Sequence, residues 1–359
     1  MKWRMARSLM LGLAGVTLLA GAAAAQQRIA NAQMQTRSAS AGLEREFRAI
    51  VNAQASPAWI GYSVPIVAGR HYSCCWNNDA CCGACGLESK SGNYYQGDEP
   101  RGVKLEGAKF VVVLFRVEQK AVGKIRTFTE DCDLDAGGLT FYWLSDVKPA
   151  ESVALLTGYA TADESATKEG RRLSDGALSA IAMHADASAD AAFERFVAAN
   201  QPQRLREQAV FWLGASRGRR GYEMLRRLVR DDPDERIRDK AVFALSVSRE
   251  PEAVDAIIAA AKGDKSAKVR GQALFWLAQK AGKKAAEMIT EAIERDPDTE
   301  VKKRAVFALS QLPKDEGVPL LIQVARSNKN PAVRKQAMFW LGQSNDPRAV
   351  KFFEEVLRQ

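Results

Sequence analysis

Five short segments read Ala209-Val210-Phe211-Trp212-Leu213, Ala241-Val242-Phe243-Ala244-Leu245, Ala273-Leu274-Phe275-Trp276-Leu277, Ala305-Val306-Phe307-Ala308-Leu309 and Ala337-Met338-Phe339-Trp340-Leu341. Each begins 32 residues after the one before it. A fixed period of this size is the signature of a repeat architecture, in which each unit buries its apolar face only against its neighbours. Three residues before each alanine stands a basic side chain: Arg206, Arg238, Arg270, Lys302 and Arg334. Nine before it stands Asn200, Asp232, Asp264, Asp296 or Asn328, all residue types that cap helix N-termini. A second ladder with the same period runs through Phe193, Leu225, Ile257, Ile289, Leu321 and Phe353. Two apolar helices per period, joined by Gly, Pro and Asp turns, make a helical-pair solenoid over residues 172–359.

The pattern Val-Arg-x-x-Ala-x-x-x-Leu-Gly behind an Asp-containing loop resembles the HEAT repeat. The short period resembles the subset found in phycobilisome lyases and bacterial HEAT-like proteins. The resemblance covers about half the chain. In the resembled repeat the basic position lies beside the Asp loop of a neighbouring turn, so internal pairing rather than an anion-binding stripe is expected of the basic ladder. It implies a right-handed, armadillo-type α-solenoid and a binding role, because such repeats present extended concave surfaces. Fold alone does not assign activity. The iron-dependent hydroxylases that resemble this scaffold hold metal with His-Glu pairs, whereas this chain has only His71 and His184, neither followed by Glu. His184 is expected at the surface or as a cap, ending the first, imperfect repeat helix.

Upstream of the repeats the chain changes character. Lys2, Arg4 and Arg7 precede the apolar stretch Leu9 to Ala20 and the small-residue run Ala23-Ala24-Ala25. That is the form of a cleaved Sec-type signal peptide over residues 1–25, too short to remain as a membrane span. It predicts a periplasmic or secreted protein. Removing it lowers the formal charge of +9 to about +6. An exported chain whose cations have local partners gives no reason to expect nucleic acid.

Residues 26–40, rich in Gln, Ala and Ser, read as a flexible N-terminus. Residues 41–160 read as a small β-rich domain: a helix over 41–53, an extended stretch from Trp59 to Val67 with Pro65 suggesting a sheet edge, further strands at Lys109 to Val117, Val122 to Phe128 and Leu139 to Leu144, and a short helix opened by Pro149. An antiparallel sheet is expected. The polar segment 161–171 reads as a linker.

All six cysteines, Cys74, Cys75, Cys81, Cys82, Cys85 and Cys132, fall in this region. In an oxidising compartment an even number predicts disulfides, whose pairing the sequence leaves open. Zinc at Cys82-x-x-Cys85 with two further thiolates is the rival reading, and redox or metal-dependent chemistry there is the alternative function. No cofactor or metal is expected otherwise. The acidic run Glu130 to Gly138 departs from the calcium-loop pattern, with Ala136 in place of the loop glycine and Tyr142 in place of the closing glutamate. Ser165-x-x-Lys168 stands alone in the linker, without companion motifs.

The informative position is the phenylalanine. With Ala209 at zero on a wheel of about 100° per residue, Leu213 falls near 40° and Phe211 near 200°, away from the core. Where the resembled repeat is usually polar, this chain carries Phe211, Phe243, Phe275, Phe307 and Phe339. Helices stacked about 8–10 Å apart would draw these rings into a stripe roughly 40 Å long on the concave face. Gln208, Lys240, Gln272, Arg304 and Gln336 would flank it as polar selectors. An apolar row rimmed by polar groups marks an interface, here for an extended protein or peptide of the cell envelope. Burial of the rings against one another, or beneath the N-terminal domain, would be the structural alternatives. The alternation Trp212, Ala244, Trp276, Ala308, Trp340 suggests duplication of a two-repeat unit and reads as packing. The chain is thus expected to be an exported, non-catalytic scaffold.

Overall fold

The computed structural model describes residues 28–68, 85–88, 107–162, 167–280 and 283–358. The signal-peptide stretch, His71, Ser165 and Cys74, Cys75, Cys81 and Cys82 lie outside the described residues. Among the described residues no helix is long and apolar enough to cross a membrane.

The N-terminal part is a five-stranded sheet with helices on one face. Strands β2 (Gln33–Ser38), β3 (Ala58–Pro65), β5 (Phe110–Glu118), β6 (Ala121–Thr129) and β8 (Thr140–Ser145) lie in the order β2-β8-β3-β5-β6. A small parallel sheet joins β1 (Ile29–Ala30) and β4 (Cys85–Gly86) to either side of β7 (Leu134–Asp135). Helices α1 (Leu43–Ala53) and α2 (Pro149–Ala160) complete this part. Strand β5 alternates between two cores: Val111, Val113, Phe115 and Val117 face the helices, while Val112 and Leu114 face Trp59, Phe128, Cys132 and Phe141. Such two-sided burial is why Phe110–Val117 reads as one apolar run rather than as an alternation.

Three expectations change here. The sheet is mixed, because β8 runs parallel to both β2 and β3. Pro65 ends a central strand rather than an edge: β8 pairs only Ala58 to Gly61, so no neighbour on that side needs the N–H that proline lacks. Residues 33–38, expected to be flexible, form β2, whose side chains are all exposed. Main-chain hydrogen bonds to β8 hold that strand, which is why no apolar pattern announces it.

The remainder is helical pairs. A first pair, α3 (Lys168–Met183) and α4 (Ala187–Phe196), precedes an inner row carrying the Ala-x-Phe-x-Leu motif: α5 (Gln203–Ser216), α7 (Glu235–Val247), α9 (Ala267–Lys280), α11 (Thr299–Ser310) and α13 (Pro331–Gln343). The outer row is α6 (Gly218–Asp231), α8 (Ala253–Gly263), α10 (Lys283–Arg295), α12 (Lys314–Ser327) and α14 (Pro347–Leu357). Inner helices touch one another more closely than outer ones do, so the stack curves toward the inner row. The second apolar ladder is buried as expected at Phe193, Leu225, Ile257, Ile289 and Leu321. At its last step Phe352 takes the buried place and Phe353 is half-buried.

The acidic ladder pairs with the basic one as expected, but it does not supply the helix N-caps that its residue types suggested. Asp234, Asp298 and Asn330 cap the inner helices, each accepting a main-chain N–H two residues on. Asp232, Asp264 and Asp296 sit two residues earlier and take the guanidinium of the preceding inner helix. Arg206 pairs with Asp232, Arg238 with Asp264 and Arg270 with Asp296. The basic ladder is thus internal mortar rather than an anion-binding stripe. Where the loop holds the uncharged Asn328, Lys302 turns instead to the Glu294 carbonyl at 2.9 Å.

The segment expected as a linker does not separate two cores. Helix α3 begins at Lys168 and packs on α2, with Ser174 Oγ donating to the Ala160 carbonyl at 2.9 Å. The same helix lies on β6, and Gly176 makes the approach possible, since a Cβ there would fall 2.7 Å from the Ile125 carbonyl oxygen. One buried cluster consequently runs from Phe47, Tyr62 and Phe115 through Ile181 and Phe193 to Leu341.

Candidate functional site

The inner row turns its small and aliphatic residues inward. In α5, Leu205, Ala209, Val210 and Leu213 are buried, which leaves Phe211 on the opposite side with 38 % of its surface exposed. Phe339 is 53 % exposed, and Phe243, Phe275 and Phe307 are half-buried. The rings therefore pack partly on one another and keep an open face.

The tryptophans belong to the same row. Phe211 stacks on Phe243 (centroids 6.2 Å, planes 17° apart), and Phe243 lies 4.8 Å from Trp276. Trp276 meets Phe275 edge-on at 4.8 Å, Phe275 stacks on Phe307 at 5.6 Å and 4°, and Phe307 lies 4.9 Å from Trp340. Trp340 meets Phe339 at 5.0 Å, and Trp212 begins the series against Phe211 at 5.2 Å. All these separations suit attractive aromatic geometry. The alternation of Trp with Ala244 and Ala308 is therefore more than repeat-to-repeat packing: each alanine leaves room for a phenylalanine to reach the next indole. A wheel drawn for one helix does not reveal this, because it depends on the stagger between helices.

The flanking positions lie beside the rings. Gln208, Gln272 and Gln336 are half-buried and Lys240 and Arg304 exposed. At the N-terminal end, Phe211, Trp212, Phe243, Gln208, Lys240 and Glu207 line a pocket of about 370 Å³, closed on one side by the Asp175–Arg204 ion pair at 2.6 Å. Farther along, Arg304 crosses α9 at Gly271, where a Cβ would fall 2.4 Å from its Cδ, and its Nη1 donates to the Lys268 carbonyl at 3.2 Å. Asp239 is close enough to feel the Arg304 charge. Burial pushes its carboxyl above the ordinary aspartate value, opposed by Lys268, whose Nζ is 3.8 Å away, and by Lys240.

Away from the row, the structure corrects the reading of His184. It does cap α3, but wholly buried rather than at the surface. Its Nδ1–H donates to the Ala180 carbonyl at 2.8 Å, since a carbonyl only accepts. Nε2 therefore accepts from Ser152 Oγ at 2.8 Å, which in turn accepts from the Tyr62 hydroxyl at 2.8 Å. Burial lowers the His184 pKa to about 4, helped by Arg217, whose Nη1 donates to the His184 carbonyl at 2.5 Å. Sequence spacing gives no sign of this relay, because the end of β3 covers it: Ala185 N donates to the Pro65 carbonyl.

Among the cysteines, Cys132 is buried in the second core, with Thr129 Oγ1 at 3.4 Å from its sulfur. In the acidic run, Asp135 is engaged locally, accepting from Asn31 Nδ2 at 2.7 Å and from the Gly137 amide at 2.8 Å. Among the described residues no group of three His, Cys, Asp or Glu is placed to hold a metal ion.

Comparison with known proteins identifies residues 192–278 and 286–359 as HEAT repeats. No curated protein sequence matches the chain. Among solved structures, human deoxyhypusine hydroxylase in complex with glycerol is similar at 17% identity over 58% of this chain and 90% of its own, with a TM-score of 0.30. The CpcE–CpcF complex of phycocyanin lyase from Nostoc sp. PCC7120 is similar at 24% identity over 43% of this chain and 99% of its own, with a TM-score of 0.34. Kap95p bound to RanGDP is similar at 17% identity over 55% of this chain and 31% of its own, with a TM-score of 0.37.

Proposed function

With the C-terminal half built of HEAT repeats, we propose that this protein is an exported, non-catalytic scaffold whose inner helical row holds an extended segment of another protein. Phe211, Phe243, Phe275, Phe307 and Phe339 are its apolar anchors, and Gln208, Lys240, Gln272, Arg304 and Gln336 its polar selectors. The observation that carries this reading is the uninterrupted aromatic row, open at Phe211 and Phe339 and rimmed by polar side chains. A soluble protein has little reason to keep such a surface uncovered unless a partner buries it. The row also suits an extended chain, which offers alternate side chains to successive pockets.

The non-catalytic part of the reading is supported by the Ser152–His184 contact. Those groups have the look of a nucleophile and its base, yet both are wholly buried, and no substrate reaches them. Export rests on the N-terminal sequence and on the clustered cysteines; Cys132 is disulfide-bonded, which supports reading them as staples.

The test is capture from a native envelope extract by wild-type protein and by Phe243→Glu/Phe275→Glu/Phe307→Glu, after circular dichroism has verified that the variant folds. A partner retained only by wild type agrees with the proposal. If the central variant unfolds, Phe211→Glu/Phe339→Glu alters the exposed rings alone. A partner held equally by wild type and by a folded variant would sink the reading.

A further inference from the structure

The flank of the aromatic row repeats with twice the period of the row. One residue before the motif alanine, amide and cation alternate: Gln208, Lys240, Gln272, Arg304, Gln336. Three residues after it, Trp and Ala alternate, and the two alternations are in phase. Every cation stands on a helix whose small residue lets its phenylalanine pack beneath the next indole, as Phe243 does with Trp276 and Phe307 with Trp340. The recognition unit is therefore a pair of repeats, offering one aromatic step and one positive charge.

Asp239 lies within electrostatic reach of both Lys240 and Arg304, but its carboxylate is shared with Lys268 and neutralises neither. Lys268 has Asp239 and Lys303 has Glu300 at 2.9 Å, but Lys240, Arg304 and Lys335 form no ion pair among the described residues. Arg304 is also positioned. Gly271 stands where the other inner helices carry Glu207, Asp239, Lys303 and Lys335, and its missing side chain is the channel through which the Arg304 stem passes. One of its N–H groups is spent on the Lys268 carbonyl, and a guanidinium has five.

Resting on the assignment of the Phe row as the docking surface, we propose that its occupant is an acidic, extended segment. Its apolar side chains lie on the rings, and its carboxylates reach Lys240 and Arg304. Two repeats span about 16–20 Å and an extended chain rises about 3.3 Å per residue, so the two carboxylates are about five or six residues apart.

Selection of random peptides of about 15 residues on the immobilised full-length chain tests this. Binders are expected to be enriched in Asp or Glu at that spacing with apolar residues between. Synthetic copies should lose at least about tenfold in affinity when those acids become Asn or Gln, and equally on Lys240→Glu/Arg304→Glu protein. Raising the salt concentration should weaken them further. Binders rich in Lys or Arg, or indifferent to Lys240→Glu/Arg304→Glu while still lost on Phe211→Glu/Phe339→Glu, would overturn the acidic occupant and leave the docking surface standing. Binders held equally by Phe211→Glu/Phe339→Glu, or no binders at all, would overturn both.

Discussion

Arg238 and Asp264 meet as two parallel hydrogen bonds across a repeat boundary, Nε to Oδ2 at 2.8 Å and Nη2 to Oδ1 at 3.1 Å, with both side chains almost wholly buried. The Asp264 carboxylate also accepts the Ser266 amide at 2.7 Å, so one group ties two helices and a turn. Removing it leaves a guanidinium buried without its counter-charge. Asp264→Ala should cost about 3 kcal/mol in urea unfolding. Asn328→Ala, at the same place in a repeat that lacks the ion pair, should cost about 1 kcal/mol or less. Equal losses would show that the buried pairs add nothing specific.

Glycines at one repeat position should respond in opposite directions. A Cβ at Gly214 would lie 2.1 Å from the Ala244 carbonyl oxygen, whereas one at Gly342 meets nothing within 4 Å. Gly214→Ala forces α5 and α7 apart and should destabilise by about 1–3 kcal/mol. Gly342→Ala gains helix propensity and should stabilise by up to about 1 kcal/mol. Thermal melts of the two variants decide the matter, and a stabilised Gly214→Ala would contradict the packing described.

The buried relay makes a pH dependence. The His184 pKa falls from 6.5 to about 4 on folding, chiefly through burial and secondarily through Arg217, with the Ala180 carbonyl and Asp186 opposing. The unfolded chain binds the proton more readily, so this contribution is fully present above pH 6.5. It fades as the pH falls through about 4. The shift corresponds to a loss of about 3 kcal/mol. His184→Gln should be less stable at neutral pH and flatter across that window. A variant with the wild-type slope would exclude His184 as the source.

Stability and binding should separate along the row. Phe275 is half-buried and stacked on Phe307, so Phe275→Ala should cost about 1–2 kcal/mol. Phe339 is the most exposed ring, and Phe339→Ala should cost about 0.5 kcal/mol or less while still weakening partner capture. A larger unfolding effect at Phe339 than at Phe275 would contradict this order of burial.

Much of this architecture is readable from periodicity, because in a solenoid each repeat meets only its neighbours and a local pattern is also the global one. That is why the helix pairs, the Phe position and the Arg–Asp partnership could be inferred from residues 200–341. Three features were not legible, each for a physical reason. Strand β2 is held by main-chain pairing with β8 and by polar contacts of Arg37 and Ser38, so Gln33–Ser38 carries no apolar signal. His184 is buried by the end of β3, more than a hundred residues earlier. The interleaving of Trp276 with Phe243 depends on how far neighbouring helices are staggered, which no single-helix projection contains.

The contact of Gly176 with the Ile125 carbonyl gives the molecule a mechanical character. With no slack between the sheet and the first helical pair, the solenoid is a cantilever built into a β-sheet wall. A force applied near Phe339 would bend a continuous core instead of swinging a free arm. The cantilever's fixed end is that seam, where the carbonyl of an edge strand meets a residue without a side chain.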